Sequence, residues 1–376
     1  MEHYLDNAAT TKPCAEAAAA VMSCISSHYG NPSSLHRKGL EAQHEVEYAR
    51  NQVAGALGCK AQEIVFTSGA TESTNLALCG AAAAYGRKRK KIITSAVEHA
   101  SVRETMAHLE TLGFTVVSVP PAEDGLYHAE DFLKEVDKDT CMVSIMLVNN
   151  ENGYRMPVEE VFRTVKRRDS DIITHCDAVQ GFLKVSFKPR TLCADLVSLS
   201  GHKVHALKGA GALYIRQGVR LKPVLYGSRQ EKGLRPGTEG VPVIAAFGAA
   251  AEKLVLTMDE RYDAVSGLRS SLIEQLKEMD GVIIRDLPSA SPYVLNISLL
   301  GYRSEIVLHY LEQREVYISS GSACSKGTSS GVLELFGAKP AEVDSALRIS
   351  FCSDNTEEDI AALVQGLKDA QKDLMH

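Results

Sequence analysis

The chain has no CxxC pair. Its nine cysteines are scattered, a distribution that fits neither a disulfide framework nor a zinc site. It has no apolar stretch long enough to span a bilayer. A surplus of positive charge is missing too: 41 Lys and Arg against 47 Asp and Glu give a net charge of −6. That balance argues against nucleic acid as a partner. The start, Met1-Glu-His-Tyr-Leu-Asp6, lacks a basic segment followed by an apolar core, so no secretory signal is expected. Together these absences point to a cytoplasmic protein with reduced thiols, no membrane association and no metal. What is present is ample apolar material. With 376 residues, 45% of them hydrophobic, the chain can bury a large core and should divide into two domains.

The most informative stretch is Asp195-Leu-Val-Ser-Leu-Ser-Gly-His-Lys203. An apolar run alternating with small residues reads as a strand, and Gly201 ends it where the chain must bend. Lys203 then sits at a strand end. Poor hydration there favours the neutral amine, which can attack a carbonyl. A plain surface lysine is the competing reading. Upstream, the apolar run Asp171-Ile-Ile-Thr-His175 delivers Asp177 in His175-Cys-Asp177-Ala-Val-Gln180. A Schiff-base lysine with an aspartate for a pyridinium nitrogen is the pairing that pyridoxal phosphate chemistry needs.

Further segments follow the same plan. Glu63-Ile-Val-Phe66 reads as a strand, and Thr67-Ser-Gly-Ala70-Thr71-Glu72 as a small-residue turn opening a helix near Thr71. Free N–H groups and the helix dipole make such a turn an anion site, and Thr71 also suits a helix cap. Lys91–Ser95, Phe114–Val119 and Cys141–Leu147 are the next expected strands, with a helix near Ala129–Val136. His99 follows the first of these strands, and Asn149-Asn150 follows the last. Strands alternating with helices from Glu63 to Arg216 imply a mostly parallel, helix-covered sheet. His99, Asn150, Asp177 and Ser200–Lys203 all follow expected strands directly. Ligands bind at that edge of such sheets.

The pair His175-Cys-Asp177-Ala-Val-Gln180 and Ser200-Gly-His-Lys203 resembles the pyridoxal phosphate site of the class V aminotransferase fold. Within that group the chain is most similar to the cysteine desulfurases. The likeness runs from Leu5-Asp-Asn-Ala-Ala-Thr-Thr11 to Arg348-Ile-Ser-Phe351, with several separate motifs in the family's order. It implies an α/β fold. The large domain, 14–256, holds the parallel sheet; a smaller α+β domain, 257–376, carries a mobile cysteine loop, with 1–13 packing nearby.

The resemblance also implies roles. Lys203 would hold the cofactor and Asp177 its ring nitrogen, while His99 would stack on the ring and carry protons. Gln180 would meet the ring hydroxyl. The phosphate would take Ala70, Thr71, Ser200, His202 and, from the partner subunit of a homodimer, the threonine that is Thr238 here. Asn7, Asn31, Asn150 and Arg348 would face the substrate, Asn150 approaching the cofactor as well and Arg348 binding the substrate carboxylate with two parallel hydrogen bonds. Ser319-Ser-Gly-Ser-Ala-Cys324 reads by composition as a linker with an incidental thiol. By resemblance it is the sulfur-accepting loop, although the segment from Cys324 to Arg348 is shorter than in the longer-loop members. The implied reaction takes L-cysteine to L-alanine, leaves a persulfide on Cys324, and passes sulfur to an acceptor protein of iron–sulfur assembly or of tRNA or cofactor thiolation. A selenocysteine lyase, an aminotransferase or a non-catalytic cofactor-binding scaffold would use the same fold.

Overall fold

In the computed structural model, residues 2–320 and 331–374 are described. The chain opens with a two-residue strand, β1 (His3–Tyr4). The large sheet follows: β2 (Ile64–Thr67), β3 (Lys91–Ser95), β4 (Thr115–Val119), β5 (Thr140–Met146), β6 (Ile173–Asp177), β7 (Leu196–Ser200) and β8 (Gly211–Ile215). These seven strands lie in the order β2-β8-β7-β6-β5-β3-β4. Pairing is parallel from β7 through β4, and β8 alone runs against both of its neighbours. Strands β5, β6 and β7 are buried along their whole length. That explains why they read as near-continuous apolar runs, as expected of strands covered on both faces.

Parallel pairing puts the C-terminal ends of β3, β5, β6 and β7 on one sheet edge, and antiparallel β8 brings its first residue there as well. Register fixes the neighbours: Met146 pairs with Asp177, Ser200 with Gly211, and Gly211 with Thr67. Gly211 has to be glycine. A Cβ there would lie 2.6 Å from the Cα of Gly69. The missing side chain lets the turn after β2 close onto the start of β8.

The remaining strands are β9 (Val282–Arg285), β10 (Val294–Leu299), β11 (Val316–Tyr317) and β12 (Ala346–Ser350). β9, β10 and β12 form an antiparallel sheet in the order β12-β10-β9, and β11 pairs parallel with β1. Leu5 packs in the same apolar cluster as Val265, Leu295, Leu347 and Leu363. The N-terminal segment thus belongs physically with the C-terminal part of the chain. The helix Glu357–Asp373 that closes this layer starts with Thr356 and Asp359 capping each other reciprocally.

Several bounds differ from the sequence expectation. The helix after β2 runs Ala70–Tyr85 with Gly69 at its N-cap, so Thr71 lies inside the first turn. No side chain caps this N-terminus; Glu72, in the first turn, accepts the N–H of Ser68, the residue before the cap, at 2.6 Å. The amphipathic helix Val158–Arg168 lies between β5 and β6. Acids in its first turn and bases in its last complement the dipole. Among the described residues no single helix is long and apolar enough to cross a membrane; the bent pair Val241–Leu256 and Met258–Lys277 passes only by length and composition.

Candidate active site

Asp177 is the last residue of β6 and is buried; its Oδ1 accepts the Val179 N–H at 3.0 Å. Burial pushes its pKa up, while the nearby His99 and Lys203 pull it down. A carboxylate in that setting favours a cation placed against it. Behind it, His175 lies wholly buried between Ser144 Oγ (2.8 Å) and Ser198 Oγ (2.9 Å). Burial holds that imidazole down to about 3. It is a neutral cross-tie between β5, β6 and β7.

On the adjacent strand, β7 ends at Ser200 and a single 3₁₀ turn, Gly201–Lys203, follows. Lys203 Nζ donates to the carbonyls of Ala8, at 2.6 Å, and Ala9. The N-terminal segment therefore does return to this edge. The His202 ring meets Thr10 Oγ1 at 3.2 Å, and its carbonyl accepts from Thr11. Burial, then the Lys203 charge, push His202 down to about 4.

His99 caps the helix Ala100–Thr111. Its Nδ1 accepts the Ser101 N–H at 3.1 Å, which puts the proton of the neutral ring on Nε2. Glu98, just before it, is fully buried; its Oε1 accepts from Ser95 Oγ (2.6 Å) and the Met146 N–H (2.9 Å). Burial pushes this carboxyl up to about 8, against the two hydrogen bonds and with help from Asp177.

The asparagine pair divides its labour. Asn149 builds the turn, its Oδ1 accepting the N–H groups of Glu151 and Asn152. Asn150 is half-buried, and its carbonyl accepts Arg348 Nη1 at 3.1 Å. Arg348 is 2% exposed and forms an ion pair with Asp6 at 2.9 Å. Its backbone pairs with Ser319, the start of the serine-rich stretch. Cys324 itself lies outside the described residues.

Other expected residues are placed less centrally. Asn7 is buried, and its amide donates to the Ser350 carbonyl at 3.0 Å and to Asn355 at 3.2 Å. Asn31 is exposed in its turn, where Oδ1 accepts the Ser33 N–H. Thr238 is exposed on a loop that Arg235 ties to Glu72 at 3.0 Å, beside the turn at Gly69. Three residues escaped the sequence reading: Asp6, Glu98 and Lys184. Lys184 donates to Gln180 Oε1 at 3.1 Å. The signal for Lys184 was a single cation inside the apolar run Phe182-Leu-Lys184-Val185.

These residues suit pyridoxal phosphate. Ser200 Oγ is buried with no hydrogen-bond partner among the described residues, at the register position that faces Gly211 and the Thr67 turn. A phosphate there would meet that hydroxyl and the open N–H groups of the helix Ala70–Tyr85. Asp177 offers a buried anion for a ring cation, and Lys203 offers an amine.

Comparison with known proteins gives the same picture. The family description "Aminotransferase class-V" matches residues 3–363. A cysteine desulfurase of Nostoc sp. is 38% identical over 366 residues, covering 96% of this chain and 91% of that protein. The solved structure of a NifS-like protein superposes with a TM-score of 0.94 at 37% identity, covering 100% of both chains. The structure described as SspA in complex with cysteine has a TM-score of 0.83 at 32% identity, over 95% of this chain and 100% of that one.

Proposed function

This chain belongs to the class V aminotransferases and, within them, to the pyridoxal phosphate-dependent cysteine desulfurases; from that premise we propose which of its residues do the work. The substrate is L-cysteine, as for the relative solved with cysteine bound. The supporting observation is that Asp177 and Lys203 lie at the ends of adjacent parallel strands, with the Ser200 hydroxyl, which has no partner among the described residues, between them in sequence.

Bound at Lys203, the cofactor supplies an electron sink that weakens first the Cα–H bond and then the Cβ–S bond of the substrate. Asp177 stays ionised beside the ring nitrogen and keeps it protonated. Ala70, Thr71, Ser200, His202 and Thr238 hold the phosphate, Thr238 from a second copy of the chain. Gln180 meets the ring hydroxyl. Arg348, with Asn7, Asn31 and Asn150 around it, orients the substrate carboxylate. The Lys203 amine takes the α-proton, and the His99 imidazole moves protons to and from the thiols. The Cys324 thiolate attacks the substrate sulfur: an S–S bond forms, the Cβ–S bond breaks, and its electron pair leaves with the alanine fragment, which takes up a proton. A persulfide on Cys324 and free L-alanine result, and the sulfur passes to an acceptor protein of iron–sulfur assembly or of thiolation.

The working unit is a homodimer. Tyr226, in the loop that leads to Thr238, is 87% exposed, as a subunit contact requires. We place the domain division at 256/257, with residues 1–13 against the second domain, and the protein in the cytoplasm. The test is purified holo-protein with L-cysteine. Equal amounts of alanine and sulfide, in the presence of a reductant, are expected. Amino transfer to a keto acid, selenide release without sulfide, or a yellow protein without turnover would contradict the proposal.

A further inference from the structure

We propose that Lys184 is a positioning residue that sets the side-chain amide of Gln180 for the cofactor's ring. This rests on the reading that Gln180 meets the ring hydroxyl. Lys184 is 5% exposed, in the interior of an apolar run. Its partner is an amide oxygen, not a carboxylate: Nζ donates to Gln180 Oε1 at 3.1 Å and lies 5.8 Å from the centre of the Tyr293 ring. A buried cation without a carboxylate is costly, and a methionine would fill the same space without that cost.

What the amine provides is orientation. An amine N–H donates whether or not the nitrogen is charged, and a backbone carbonyl only accepts. Gln180 therefore has one arrangement that satisfies both neighbours: oxygen towards Lys184, nitrogen towards the Ala8 carbonyl at 2.9 Å. The second N–H of the amide is the group left for a ligand. The same Ala8 carbonyl accepts Lys203 Nζ at 2.6 Å. Lys184 and Lys203 also line one small cavity, together with Tyr293, Arg261 and Cys352. Burial, then the positive charge of Lys203, push the Lys184 amine down to about 7. Both effects agree with a lysine kept for its donor geometry and not for an ion pair.

The experiment is a double-mutant cycle on cofactor affinity. Lys184→Met preserves length and removes the donor. The apo-protein should unfold at the wild-type temperature or higher. Its pyridoxal phosphate dissociation constant should rise about ten-fold, with a shifted visible absorption of the bound cofactor. In a Gln180→Leu background the same substitution should have no further effect. Additive losses would overturn the proposal, because Lys184 would then act by another route. Unchanged affinity and spectrum in Lys184→Met alone would also overturn it. If Gln180→Leu itself keeps wild-type affinity and spectrum, the placement of Gln180 at the ring fails first, and the two failures are told apart. Should Lys184→Met not fold, Lys184→Leu, which also lacks a donor, enters the same cycle. Loss of apo-protein stability at unchanged affinity would make the lysine structural and overturn the inference.

Discussion

Asp6 and Arg348 join the two ends of the chain: Asp6 Oδ1 lies 2.9 Å from Arg348 Nη2, in an ion pair whose arginine is closed to solvent and whose aspartate is 18% exposed. The Arg348 Nε is buried with no hydrogen-bond partner among the described residues. Breaking a buried pair leaves an uncompensated charge, a loss of about 3–5 kcal/mol. Asp6→Ala should therefore lower the unfolding free energy by about 3 kcal/mol, and Asp6→Ala with Arg348→Met should recover part of it. Denaturant unfolding of the apo-proteins measures both. Arg348→Lys keeps the charge but not the two-pronged geometry, so KM for L-cysteine should rise far more than kcat falls. Equal changes in both would argue that Arg348 does not hold the carboxylate.

Glu98 predicts a pH dependence. Its folded pKa, about 8, stands above the ordinary 4.5. Between those values the folded protein keeps a proton that the unfolded chain has released. The contribution is fully present below 4.5 and is lost as pH rises through about 8. Thermal unfolding of the apo-protein across that window should fall with pH, at no more than about 1.4 kcal/mol per unit from this one group. Glu98→Gln should flatten the fall. An identical slope in that variant would show that Glu98 is ionised in the fold.

Lys203→Ala should abolish both the cofactor absorbance and the borohydride-reducible adduct, along with all sulfide release. Lys208, exposed a few residues on, is the place to look if a reduced adduct persists. That result would move the anchoring lysine.

How much of this could be read beforehand follows from where each signal lies. Asp177, Ser200 and Lys203 each close an apolar run, so the strand ends and the residues they present were visible locally. The direction of β8 was not, because an antiparallel strand buried on both faces has the same composition as a parallel one. The half-buried β9 is too short for a clear alternation, whereas the helix Val158–Arg168 is strongly amphipathic and legible in its own pattern. The pair Asp6–Arg348 depends on how the two ends of the chain pack, and no residue pattern along the chain announces it. Lys184 is local to Gln180, four residues on, and its signal is the lone cation in an apolar run. Thr71 looked like a cap because its residue type suits one, yet Gly69 holds that place where β8 comes close.

Assembly and cofactor should be linked if Thr238 reaches a phosphate across a two-fold axis. Thr238→Ala should weaken cofactor retention by about 1.5–3 kcal/mol, one charge-assisted hydrogen bond. On dilution, apo-protein should dissociate before holo-protein does, as followed by analytical ultracentrifugation. A fully active monomer would rule out the shared site.

In the proposed reaction sulfur leaves L-cysteine onto Cys324. Holo-protein is mixed with L-cysteine without reductant, the remaining thiols are alkylated, and the peptide containing Cys324 is weighed by mass spectrometry. That peptide should be heavier by one sulfur atom, with alanine formed in equal amount. In Cys324→Ala both products should be lost while the cofactor stays bound. Alanine formed at the wild-type rate by Cys324→Ala, or the extra sulfur on another cysteine, would contradict it.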